Sequence, residues 1–139
     1  MKKKKTEELE KILKHASHHE LKEFIDQMEH TNFVEYFEFL LNQYSMKKGE
    51  VINNTNIDRT YAYQILQGKK QGSKDKIFQL ALGMNCTLYE CNTLLQLSDK
   101  SRLYPKKKRD MILIYALESK LSVFETNELL NEFQEDILQ

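Results

Sequence analysis

Shifted by 35 residues, the last third of this chain falls on the stretch before it. Asp75, Ile77, Ala81, Leu82, Glu90, Asn92, Leu94 and Leu95 land on Asp110, Ile112, Ala116, Leu117, Glu125, Asn127, Leu129 and Leu130. Thr87 lands on Ser122 and Tyr89 on Phe124, so a capping hydroxyl and an aromatic recur in place. The repeated unit is an apolar helix followed by a capped amphipathic one, and such a unit cannot bury its face alone. Two copies are too few for a solenoid, so they are expected to stack as neighbours do in helical repeats. The repeat also bears on a local ambiguity. Residues 110–117 are apolar nearly all round and could make a strand. A buried helix is expected, because nothing else in the chain offers a partner strand.

Helical spacing runs through the rest of the chain. One Pro and four Gly in 139 residues leave few breakers. Residues 6–16 place Leu9, Ile12, Leu13 and Ala16 on one stripe, and Ser17 to Glu20 has capping-box spacing for a second helix carrying Leu21, Phe24, Ile25 and Met28. The two form either a hairpin or one bent helix. Thr31 reads as the next N-cap, ahead of Phe33, Tyr36, Phe37, Leu40, Leu41 and Tyr44. Three shorter segments follow. One spans 47–55 with Val51 and Ile52 inward. A second is capped by Asp58 and stopped by Gly68. A third is capped by Ser73 and ended by Gly83. Thr87 caps a helix through Leu97, residues 99–108 form a basic linker with Pro105, and Ser122 caps the last helix, with Phe124, Leu129, Leu130 and Phe133.

Charge is zero in sum and uneven in place. Residues 46–76 carry seven basic and three acidic side chains, and residues 100–109 carry six basic and none acidic. Residues 6–45 and 110–139 each sum to −6. A local basic face can bind phosphates on a neutral chain. Lys2 to Lys5 reads as a solvated tail in preference to a DNA arm. Lys106 to Arg109 is open between solvated linker and second phosphate contact. No apolar run reaches the ~20 residues of a membrane span, and the start lacks a signal-peptide apolar stretch, so a cytoplasmic protein is expected. Cys86 and Cys91 match no zinc spacing and read as small buried hydrophobes. His15, His18 and His19 read as surface histidines, with no metal and no cofactor expected. No Ser/His/Asp or Cys/His set, phosphate loop or paired catalytic carboxylates stands out, so an enzyme is not expected.

The stretch 48–68, KGEVINNTNIDRTYAYQILQG, carries the functional reading. A helix-turn-helix needs two short helices at a steep angle with apolar or small residues inward at fixed offsets. Val51 and Ile52 would face inward from the first helix, Ile57 would plug the turn, and Ala62 and Ile65 would face inward from the second. Asn56 at the turn is the non-glycine residue best suited to positive φ. Arg59, Thr60, Tyr63 and Gln64 would then project from the second helix as base readers in a major groove. Lys48, Lys69, Lys70 and Lys74, with Ser73 at a helix N-terminus, would bind phosphates.

Over roughly residues 33–97 the sequence resembles the Cro/CI-type (XRE-like) helix-turn-helix regulators of bacteria and phages. Asp58-Arg-Thr-Tyr-Ala-Tyr-Gln-Ile65, then Gly68, Ser73 and Asp75-Lys76, carry the narrower likeness. The family usually has Gln where Lys48 stands, Ala at Ile52 and Gly at Asn56. Lys48 thus replaces an amide that braces the recognition helix, while the bulk of Ile52 is offset by Ala62. The resemblance implies a five-helix domain, operator binding and a homodimer. The expected architecture is all-α: an N-terminal helical extension (1–31), a DNA-binding domain (32–98) and a C-terminal helix pair (99–139) on the same body. The expected function is a sequence-specific transcriptional regulator on double-stranded DNA. The alternative is a protein-interaction adaptor that keeps the shape without reading DNA.

Overall fold

The computed structural model of the chain describes residues 6–29 and 32–139, and the side-chain surroundings of residues 8–25 and 32–139. The Lys2 to Lys5 tail, Thr31 and the Met28 side chain lie outside these. Among the described residues there are nine α-helices and no strand: α1 Thr6–Lys14, α2 His18–Glu29, α3 Phe33–Gln43, α4 Lys48–Asn53, α5 Arg59–Leu66, α6 Lys74–Met84, α7 Leu88–Leu97, α8 Lys108–Glu118 and α9 Val123–Glu132. No helix among them is long and apolar enough to cross a membrane.

Short-range capping chemistry sets most helix starts. Ser17, Thr87 and Ser122 each accept a hydrogen bond from the backbone N–H three residues on, and Glu20, Glu90 and Glu125 each accept one in return from the cap residue's N–H. Asp58 and Ser73 cap α5 and α6 through the Tyr61 and Lys76 amides. So α1 and α2 are two helices, not one bent helix. The cap of α3 is Asn32, whose side chain accepts from Glu35 N, and not its neighbour Thr31. Gly83 does not end α6; the helix runs to Met84 and stops where Asn85 turns left-handed at φ 59°.

Helix α6 is buried continuously from Ile77 to Met84. It packs on α4, α7 and α9. A helix covered all round needs apolar residues all round. Around it, Tyr36, Phe37 and Leu40 of α3, Val51 of α4, Ile65 and Leu66 of α5 and Leu94 and Leu95 of α7 form one core. That core continues into Leu103, Leu113, Leu130 and Leu138. Cys86 and Cys91 are buried free thiols, and burial pushes Cys91 up to about 12. Helix α8, for which an all-round buried surface is expected from sequence, leaves Met111 55% and Tyr115 60% exposed. It lacks on its outer side the cover that α4 gives α6.

The repeat extends beyond its helices. Asn85 and Lys120 are left-handed at matching places, and so are Asp99 and Gln134. Asn92 Oδ1 accepts from Leu103 N at 2.9 Å, and Asn127 Oδ1 from Leu138 N at 2.8 Å. The contacts between the copies are reciprocal. The tail of the first unit reaches the start of α8, where Tyr104 N donates to Asp110 at 3.0 Å. The tail of the second reaches the start of α6, where Gln139 N donates to Asp75 at 3.1 Å. Lys74 Nζ lies between Ser101, Arg102 O and Asp110. Its repeat counterpart Arg109 bonds Asp136 O and Ile137 O and grips Asp75 with two bonds of 2.9 Å. Helix α6 meets α9 as α7 meets α8. The units therefore close on each other about an approximate two-fold, in the manner of an isologous dimer, instead of stacking in an open series.

Partial burial would raise the Asp75 carboxyl, but the Arg109 and Gln139 hydrogen bonds and the Arg109 charge outweigh it and hold the group below its usual range. A folded-state value below the unfolded one means that the stability gained is complete above the unfolded value and is lost as pH falls through the folded one. Asp75→Asn should cost about 1–3 kcal/mol at neutral pH. The gap to the unsubstituted protein should narrow between about pH 5 and pH 2, read by urea denaturation. A gap unchanged across that range would show that the carboxylate charge contributes nothing.

Candidate nucleic-acid interface

Helices α4 and α5 pack together across the turn 54–58, where the sequence predicts the helix-turn-helix unit. Val51, Ile52, Ala62, Ile65 and Leu66 are buried, and Ile57 plugs the turn as its sequence position suggests. The turn itself works differently from expectation. Asn56 has no positive φ. Instead the Thr55 hydroxyl donates to Ile52 O at 2.8 Å and accepts from Ile57 N at 3.3 Å, so a side chain closes the bend that a left-handed residue would otherwise make. The Asn56 amide is satisfied at long range by buried Gln79, whose Oε1 lies 3.0 Å away. The other end of that side chain donates to the Gln139 main-chain oxygen at 3.3 Å. Gln79 was not singled out from the sequence. Its one signal is an amide inside the otherwise apolar run of α6, which demands buried partners.

Helix α4 lies close to α6 because position 83 has no side chain. A Cβ on Gly83 would stand 2.8 Å from Val51 O, and the Gly83 carbonyl accepts from Asn54 Nδ2 at 2.9 Å. The end of α5 is fixed by Gly68 at φ 79° and by the Tyr61 hydroxyl, which donates to Gln71 O at 3.1 Å.

The side chains expected to read bases share the outer side of α5. Arg59 and Thr60 are exposed, and Tyr63 and Gln64 are half-buried. Arg59 does not stand alone. Its Nη1 donates to Asn53 Oδ1 at 2.9 Å, and its guanidinium lies 5.4 Å from the centre of the Tyr63 ring. Gly49 makes room for this pair: a Cβ there would be 3.2 Å from the Tyr63 hydroxyl and 3.4 Å from Arg59 Nη2. The amide that braces α5 from α4 is thus Asn53, while Lys48 pairs with Glu38 of α3 at 3.1 Å.

Of the phosphate-binding candidates, Lys69 and Lys70 are exposed in the loop after Gly68, and Ser73 is exposed at the start of α6. Lys74 has internal partners. Its ammonium is held by Ser101, Arg102 O and Asp110 within the repeat. Arg109 is likewise committed to Asp75, and Lys108 approaches Glu135 at 3.8 Å, so the basic linker is partly consumed by internal pairs.

Gly83→Ala tests how the unit is mounted. Alanine is favoured over glycine in a helix by about 1 kcal/mol, but a clash with a main-chain oxygen that cannot rotate away costs about 1–3 kcal/mol. The net expectation is a loss of up to about 2 kcal/mol in chemical denaturation; a clear gain would mean that α4 and α6 separate freely.

Comparison with known proteins finds no match to this chain among family models, curated proteins or solved structures.

Proposed function

We propose that the protein is a sequence-specific DNA-binding transcriptional regulator of the Cro/CI-type helix-turn-helix class, with α3 to α7 as the five-helix domain and α5 as its recognition helix. The observation that carries this reading is the division of α5. Ala62, Ile65 and Leu66 anchor it in the core, while Arg59, Thr60, Tyr63 and Gln64 line its outer side. In the major groove, Arg59 would read guanine and Gln64 adenine through paired hydrogen bonds, and Thr60 and Tyr63 would meet a thymine methyl or a phosphate. Asn53 and Tyr63 hold the guanidinium, which lowers the ordering cost of presenting it. Lys69, Lys70 and the N-terminus of α6 would take the flanking phosphates. Lys48 stays within reach of the backbone through exchange of its Glu38 partner. Lys74 is left out. A homodimer on paired half-sites belongs to the same reading, with the exposed Met111 and Tyr115 of α8, one turn apart, as its apolar surface.

Fluorescence anisotropy on duplex DNA from 50 to 300 mM salt tests the reading. With a selected site in hand, Arg59→Ala should cost about 1–3 kcal/mol at one base pair and relax preference there. Lys70→Ala should weaken all sequences alike and reduce the salt slope by about one. Affinity that does not change with salt would replace the DNA reading by the adaptor reading.

A further inference from the structure

Helices α2 and α7 bring together three side chains that the DNA reading does not use. His19 and Glu23 lie one turn apart on α2, with His19 Nε2 2.6 Å from Glu23 Oε1. Glu90 comes from the first turn of α7. One ligand atom from each of His19, Glu23 and Glu90 lies within 4.8 Å of the others. Both carboxylates are interior, Glu23 being 3% and Glu90 0% exposed.

Two features set this group apart from a chance meeting of polar residues. The first is the state of Glu90. Its Oε1 accepts from the Tyr44 hydroxyl and from Thr87 N, while its Oε2 is buried with no hydrogen-bond partner. An interior carboxylate oxygen without a donor is costly and points to something that satisfies it. The second is charge. Two carboxylates this close in the interior repel, and His19 can offset one of them at most. A dication offsets both and leaves the imidazole neutral, as a metal ligand must be.

We infer that His19, Glu23 and Glu90 bind a divalent transition-metal ion of the zinc type, which fastens α2 to α7. One imidazole nitrogen and two carboxylate oxygens suit zinc, cobalt or manganese better than the all-oxygen shells of calcium and magnesium. Small side-chain rotations bring the three atoms to the about 3–4 Å separations of a tetrahedral shell, with water in the fourth place. The Tyr44 hydroxyl and the Thr87 amide orient the Glu90 carboxylate from behind, as outer partners of metal ligands do. The Phe24 and Tyr89 rings, edge to face at 4.6 Å, join the same two helices beside the site.

The test uses the full chain stripped with chelator. Zinc should raise Tm, and cobalt(II) should give visible absorption saturating at one ion per chain. His19→Ala, which removes a side chain that is 61% exposed, should weaken cobalt binding at least tenfold. His18→Ala, next to it on the same helix, should bind as the unsubstituted protein does. A flat cobalt spectrum with no zinc-dependent Tm shift would overturn the inference. So would equal losses from the two histidine variants, which would mark adventitious surface binding.

Discussion

Helix α6 is enclosed on every side, and the rest of the molecule is arranged by what it asks of its neighbours. Gly83 draws α4 in to main-chain distance, Gln79 holds the turn of the helix-turn-helix unit, and Asp75 receives Arg109 and the Gln139 amide. Three positions on one helix thus fix the motif on one side and the C-terminal pair on the other. The outer side of α5 is available because its inner side, Ala62, Ile65 and Leu66, is anchored in the core.

Positions whose partners lie three or four residues away were readable from spacing alone. Asp58, Ser73, Thr87 and Ser122 cap the helices they precede, and the apolar stripe of α3 faces the core. Cap and periodicity are local physics, and a linear sequence displays local physics directly. The face of α5 was readable for the same reason. What escaped was set at a distance. Asn56 finds its acceptor 23 residues on, Arg109 its carboxylate 34 residues back, and Gln79 the end of the chain 60 residues away. Lys74 looked like a surface lysine because its three acceptors lie 27 to 36 residues downstream. Nothing in the sequence neighbourhoods of Glu23 and Glu90 announces that both are interior.

The two repeat units show how one pattern serves unequal surroundings. Their turns and tail contacts match position for position, yet α6 is covered where α8 is open. Asp75 receives a bidentate arginine where Asp110 receives a single lysine contact at 3.5 Å. Arginine's fork suits a planar carboxylate and lysine's point charge does not, so the closure is stronger on the side that supports the helix-turn-helix unit.

That closure also governs how the body comes apart. In a linear array each element leans only on its neighbour, and disorder can creep inward from a terminus. Here Gln139 is stitched to Asp75, 64 positions earlier in α6. Peeling this segment away uncovers Asp75 and Gln79 in the middle of the body at once, so the two repeat units are bound to hold or yield together.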